Sequence, residues 1–307
     1  MRRRYEKNTY FLLVNLLLIS ACSGNQGSNQ NVSSSQEVSS VEPMSSNQIE
    51  IEATTKYEKE DKTIYRDNLK IAGELYIPNN SYDVFPLVIL SHGFGGNMND
   101  LRNLGIKFVK EGVAAFIYDF IGGGNSIKSD GKLTDMSVLT EASDLNTVLD
   151  YLKEDERINT DNVFLLGQSQ GGFVSTYVAS TRDDIKGLID YYPAFVIRDD
   201  ALAQYKSADE VPDPYRMTKM GATLGKIYYV DAVSFDIFEV MENCQCNTLI
   251  MHGSSDNIVP VSYSERALAI IPHCELKIYQ GAGHGFSGST ATDADNRAEQ
   301  FLKDNLN

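Results

Sequence analysis

Val163-Phe164-Leu165-Leu166-Gly167-Gln168-Ser169-Gln170-Gly171-Gly172-Phe173 is the stretch that decides the fold. Four apolar residues in a row, without polar alternation, read as a strand buried on both faces. The glycines break it off sharply, and residues 173–180 resume with helical spacing. A strand that turns this tightly into a helix holds the residue at its apex, Ser169, with its hydroxyl pointing outward. Side chains at positions 167 and 171 would collide with neighbouring backbone, so both are glycine. The helix that follows aims its first amides at any negative charge forming beside that hydroxyl.

Working outward, the same short apolar runs recur at residues 87–90, 114–118, 187–189 and 248–251, and a further strand is read at 275–279. Helical patterns lie among them at residues 101–111, 138–153, 264–270 and 294–306. Alternating strands and helices predict right-handed crossovers, a mainly parallel sheet and helices on both of its faces. Functional groups then belong at the carboxyl ends of the strands. Residues 51–78 differ, with polar residues between many of the apolar ones, and read as leading antiparallel strands with one solvated face. From about 193 to 242 the chain is aromatic, acidic and irregular. That is too long for a plain connection and predicts an inserted cap with helices of its own.

The N-terminus follows other rules. Arg2, Arg3, Arg4 and Lys7 precede an apolar run over residues 10–19, the layout of a secretory signal. The run is about half the ~20 residues a spanning helix needs. Ile19-Ser20-Ala21-Cys22 resembles a bacterial lipobox, so residues 1–21 are expected to be removed and Cys22 lipidated, placing the protein in the cell envelope on the extracytoplasmic face of the membrane. The competing reading is an ordinary cleaved signal with Cys22 incidental. Residues 22–50, rich in Ser, Asn and Gln, cannot offset their ordering entropy by burial and are expected to form a disordered tether of about 25–30 Å. Residues 51–307 form the folded domain, long enough for one full core. The net charge of −15 becomes about −18 without residues 1–21, which makes nucleic acid and bare anionic membrane poor partners. The membrane is expected to engage only through the lipid. Cys244-Gln245-Cys246 with His252 nearby fits no common closed zinc site, and neither a metal nor an organic cofactor is implied.

A serine hydroxyl needs a base. On a strand–turn–helix elbow the partners follow in the order Ser, Asp or Glu, His. His284, in Gly283-His284-Gly285 directly after the strand at 275–279, is the base expected at the carboxyl edge; His273 precedes that strand and belongs at the opposite end. Asp256, in the loop after residues 248–251, is the expected acid, with Asp190 its rival. Two backbone amides should form the oxyanion hole: that of Gln170, and that of Phe94 in Ser91-His92-Gly93-Phe94-Gly95-Gly96. His92 reads as a shaper of that loop, and His252 as a buried neighbour of the site.

With these residues in hand, the chain from about residue 56 onward resembles the α/β-hydrolases, and within them the bacterial cinnamoyl or feruloyl esterases. The matching pieces are Ser91 to Gly96, Asp119-Phe120-Ile121-Gly122-Gly123-Gly124-Asn125-Ser126, Ser129-Asp130-Gly131-Lys132 with Asp135-Met136, the Ser169 elbow, and the Asp256 and His284 loops. It departs from them at Gly122-Gly123-Gly124, where relatives commonly have Gly-His-Gly, and over residues 193–242. The resemblance implies an α/β-hydrolase fold and an acyl-enzyme mechanism on a small-molecule ester, with an aromatic or hydroxycinnamoyl acyl group. Tyr191, Tyr192, Phe195, Tyr205, Tyr215, Tyr228 and Tyr229 are either the lining of an acyl pocket or the packing core of the cap. The resemblance also makes the strands that begin near Cys246 and Cys274 parallel neighbours, so Cys274 is expected to pair with Cys246 or Cys244 in a disulfide. Competing functions are a peptidase of the prolyl-oligopeptidase type, an acylglycerol lipase, and a lipoprotein that binds a ligand on an inactive scaffold.

Overall fold

The computed structural model describes residues 51–124 and 126–306. The signal segment, Cys22 and the tether lie outside the described residues. The strands are β1 (Tyr57–Arg66), β2 (Leu69–Pro78), β3 (Phe85–Ser91), β4 (Ala114–Tyr118), β5 (Ile158–Gln168), β6 (Gly187–Tyr191), β7 (Tyr215–Met217), β8 (Ala222–Leu224), β9 (Asn247–Gly253) and β10 (Cys274–Tyr279). The helices are α1 (Arg102–Lys110), α2 (Val138–Leu152), α3 (Gln170–Thr181), α4 (Ile197–Gln204), α5 (Lys226–Val233), α6 (Ile237–Val240), α7 (Ser262–Leu268) and α8 (Gly288–Asp304).

Eight strands form one sheet in the order β1-β2-β4-β3-β5-β6-β9-β10. From β4 to β10 every pairing is parallel, while β1 with β2 and β2 with β4 are antiparallel. The mainly parallel sheet and the antiparallel pairing of the leader are as the patterning predicted, but the expected solvated face is found on β1 alone: β2 is buried on both faces from Ile71 to Pro78. The central strands carry unbroken apolar runs because each face has its own core. In β5, Val163 and Leu165 pack with α2 and α3, whereas Phe164 and Leu166 pack with α1 and α8. The two-residue alternation of strand side chains sends neighbours to opposite sides. No helix among the described residues is long and apolar enough to cross a membrane.

Two helices begin several residues earlier than hydrophobic periodicity alone indicates. The one after the elbow starts at Gln170 instead of 173, and α8 starts at Gly288 instead of 294. Glycine and polar residues occupy those first turns, so no apolar stripe marks them. Residues 193–242 fold between β6 and β9 as α4, α5 and α6 together with an antiparallel pair, β7 and β8. The pair escapes sequence reading because each strand has only three residues, joined through Gly221 at φ = 62°.

Candidate active site

Ser169 sits where β5 becomes α3, with φ = 53° and ψ = −115°. The left-handed value is strained for a non-glycine residue. Its surroundings enforce it: the Ser169 N–H donates to the Tyr191 carbonyl at 2.9 Å, and the Ser169 carbonyl accepts from Ala194 N–H at 2.9 Å and Gly172 N–H at 3.0 Å. A Cβ on Gly167 would lie 2.3 Å from the Gly171 oxygen, and one on Gly171 would lie 2.2 Å from the Ser91 oxygen. Glycine at both positions is a steric requirement of the turn.

His284 comes from the loop after β10. Its Nε2 is 2.9 Å from Ser169 Oγ and its Nδ1 is 2.7 Å from Asp256 Oδ2. The consistent assignment has the serine hydroxyl donating to Nε2 and Nδ1–H donating to the carboxylate. Asp256 comes from the loop after β9, and its Oδ1 accepts from the N–H groups of Ile258 and Val259, both at 2.9 Å. His252 approaches the same carboxylate, its Nε2 3.1 Å from Oδ2. Burial alone would raise the Asp256 carboxyl. Hydrogen bonds from His252, His284 and Val259 N–H outweigh that and hold it well below the usual carboxylate range. His252 is fully buried, with Nδ1 accepting from Ser264 Oγ at 2.7 Å and Nε2–H also donating to the Val259 carbonyl at 2.9 Å.

The structure thus brings Ser169, His284 and Asp256 into one hydrogen-bonded line. Asp190 is elsewhere: it is buried within β6 and accepts from Thr176 Oγ1 at 2.6 Å. Burial pushes its carboxyl well above the usual range. His273 lies just before β10, at the opposite end of the sheet.

The loop after β3 runs alongside the serine, and a Cβ built on Gly93 would be 3.3 Å from Ser169 Cβ. Phe94 and Gln170 line one cleft with Ser169. His92 shapes this loop: its Nδ1–H donates to the Gly93 carbonyl at 2.8 Å while Nε2 accepts from Phe120 N–H at 3.2 Å. Burial pushes its pKa down, in keeping with that neutral role. Gly95 N–H donates to the Gly123 carbonyl at 3.0 Å, which clips the loop to the segment after β4.

The cleft is narrow and partly open beneath residues 193–242, with Val196, Ile197, Met217 and Ile258 among its apolar walls. Asp200 and Lys219 are its charged members, paired at 2.7 and 2.9 Å. One connection was invisible in the sequence. Gln170 Nε2 donates to Glu141 Oε2 at 2.7 Å, and Tyr228 of α5 donates to Gln170 Oε1 at 2.6 Å. Glu141 is fully buried, which pushes its carboxyl well above the usual range despite the bond from Gln170. In the sequence it reads as the ordinary acidic residue of a helix first turn.

Comparison with known proteins gives the architecture a place. The family model described as Serine aminopeptidase, S33 matches residues 83–229. A structure of Est1E from Butyrivibrio proteoclasticus with ferulic acid bound is similar at TM-score 0.72 and 25% identity, over 80% of this chain and 98% of that one. The alpha/beta hydrolase GrgF from Penicillium sp. sh18 is similar at TM-score 0.66 and 19% identity, over 82% of this chain and 99% of that one. The fold is that of the α/β-hydrolases. Non-heme chloroperoxidase CPO-A1 of Kitasatospora aureofaciens is 36% identical over 78 residues, 24% of this chain and 28% of the relative. The chain therefore spans less than a third of that curated relative.

Within this fold the middle position of Gly122-Gly123-Gly124 is crowded. A Cβ on Gly123 would lie 2.7 Å from Phe120 Cβ and 3.1 Å from His92 Cε1, so those two side chains fill the space a histidine would need. Of the seven aromatic residues in question, Tyr228 lines the cleft with Ser169. Tyr205 packs edge-on against Tyr215 and Tyr229, and Phe195 against Phe238, as cap core. Tyr191 and Tyr192 lie against Phe286.

The expected bridge to Cys274 is corrected: Cys244, Cys246 and Cys274 are all free thiols. The register pairs Cys274 with Thr248, two residues beyond Cys246. With ~3.3 Å rise per residue and ~4.8 Å between strands, the Cys246 and Cys274 Cα atoms fall about 8 Å apart, outside bridging range. Cys246 faces Cys244 instead, with sulfurs 3.6 Å apart.

Proposed function

We propose that this α/β-hydrolase is a serine carboxylic-ester hydrolase acting through an acyl-enzyme on small esters with an aromatic or hydroxycinnamoyl acyl group, outside the cytoplasm. The observation that carries the reading is the line Ser169–His284–Asp256 at the carboxyl end of β5. Ser169 Oγ attacks the ester carbonyl as His284 Nε2 takes its proton, and Asp256 stabilises the imidazolium that forms. The amides of Phe94 and Gln170 receive the oxyanion. His284 returns the proton to the leaving alcohol, and water then releases the acid by the same steps. The acyl preference draws support from the mainly apolar cleft and from the likeness to Est1E, which has been seen with ferulic acid. The location, with Cys22 as lipid anchor, draws support from residues 1–22 alone.

The test is a hydrolysis panel of methyl ferulate, acetyl esters, acylglycerols and a prolyl amide, with fluorophosphonate labelling. Methyl ferulate is expected to be the best substrate. Ser169→Ala is expected to abolish labelling and to lower kcat by at least about 10⁴-fold without unfolding the chain. Near wild-type turnover by that variant would overturn the assignment. The match to the serine aminopeptidase description favours peptide amides as the second reading, which a leading rate on the prolyl amide would establish.

A further inference from the structure

Immediately after β6 a tyrosine takes up a conformation that favours glycine. Tyr192 has φ = 40°, and for a bulky side chain this is strain that the surroundings must impose. Tyr192 N–H donates to the Met251 carbonyl at 2.7 Å, Pro193 follows, and Ala194 N–H is tied to the Ser169 carbonyl. The Tyr192 ring is buried beside the histidine. Its centroid lies 4.8 Å from that of His284 and 5.0 Å from that of Phe286, edge-on to both.

The loop carrying His284 explains what the ring is for. Gly281 and Gly285 have φ of 76° and 81°, and Gly283 lies between them. A loop so rich in glycine gives the imidazole little support of its own. Hydrogen bonds to Asp256 and Ser169 hold the ring at its two nitrogens, but two bonds define an axis and leave rocking about it unopposed. A rigid aromatic wall beside the imidazole opposes that motion. The Tyr192 hydroxyl has no hydrogen-bond partner among the described residues, so the ring alone supplies the effect.

We propose that Tyr192 is a positioning residue: its strained backbone presses an aromatic wall against His284 and sets the tilt at which Nε2 meets Ser169 Oγ. The proposal rests on the reading of His284 as the general base. It goes beyond that reading in explaining why the chain tolerates a left-handed tyrosine at this point.

The full chain with Tyr192→Leu and with Tyr192→Phe tests it, by aryl-ester kinetics, thermal melting and the downfield proton resonance of His284 Nδ1–H. Misplacement of a catalytic group should cost Tyr192→Leu at least about tenfold in kcat with little change in KM, and Tyr192→Phe should recover most of that loss. The resonance should broaden or vanish in Tyr192→Leu and persist in Tyr192→Phe. A Tyr192→Leu protein that melts lower yet keeps its kcat and its resonance would make the ring mere packing and overturn the proposal. If Tyr192→Leu does not fold, Phe286→Leu removes the ring that backs Tyr192, and an unchanged kcat and resonance there would overturn it equally. A wild-type protein that neither hydrolyses the ester nor labels with fluorophosphonate would sink the esterase reading instead. The resonance, compared between wild type and variant, would still decide whether Tyr192 holds His284.

Discussion

Asp256 is the residue on which most of the site converges, because two histidines and two backbone amides point at one carboxylate. Such a carboxylate can act only as an acceptor, which fixes His284 with its proton on Nδ1 and its lone pair toward Ser169. Asp256→Asn would turn an N–H toward one of the histidines and favour the wrong tautomer. Steady-state kinetics should show kcat reduced by about 10³–10⁴-fold with KM little altered. A loss below tenfold would mean that His284 is oriented chiefly by other groups. His252, the second histidine on this carboxylate, could be placed near the site from sequence by its position in β9, but its bond to Asp256 could not. Likewise the left-handed backbone of Tyr192 leaves no mark in residue type, since Tyr-Tyr-Pro reads as an ordinary strand end.

At the scale of elements, the cap residues are fastened to α2, which packs beside the helix that follows the nucleophile. Ser137 caps α2 in a reciprocal box with Thr140, and its hydroxyl also donates to Asp231 of α5. Ser137→Ala should remove the cap and the tie together and destabilise the protein by about 2 kcal/mol, read as a shift in urea midpoint at constant m-value. The layered sheet, the elbow and the order Ser169, Asp256, His284 were legible because each follows from local rules: double burial, a steric need for glycine, and loops at strand ends. The contact chain Glu141–Gln170–Tyr228 was not legible, because its members are far apart in sequence and each has an ordinary local reading. The cysteines show the same limit. Neighbouring strands could be inferred from the resemblance, but a register two residues out of step for bridging could not.

For the whole molecule, two populations of carboxylate set the dependence of stability on pH. Glu60, hydrogen-bonded by Arg157, is lowered to about 2, and Glu74 reaches about 2 because bonds from Tyr76, Arg102 and Lys59 overcome its burial. Asp184 beside Arg182 is also held well below its ordinary value. Groups lowered on folding stabilise above their unfolded pKa, and that contribution is lost as pH falls from about 4 toward 2. Burial has the opposite effect on Glu141, Asp190 and Asp144, the last pushed up to about 6. Groups raised on folding stabilise below their unfolded pKa and lose that contribution as pH climbs through the folded value, for Asp144 from about 4 to 6. Urea midpoints measured from pH 3 to 8 should therefore peak in mildly acidic solution and decline on both sides; a monotonic rise to pH 8 would contradict the buried-acid half of this account. The route of the chain through the cap has a consequence for change over time. The insertion leaves β6 at Tyr191 and re-enters the sheet at Asn247, the start of the strand beside it. Its root at 191–194 is locked to the Ser169 backbone, whereas its outer portion meets the scaffold mainly through side chains. Segments of other lengths and shapes could be exchanged between those two points without disturbing strand register, so recognition can diversify as a replaceable cassette while the reaction chemistry stays where it is.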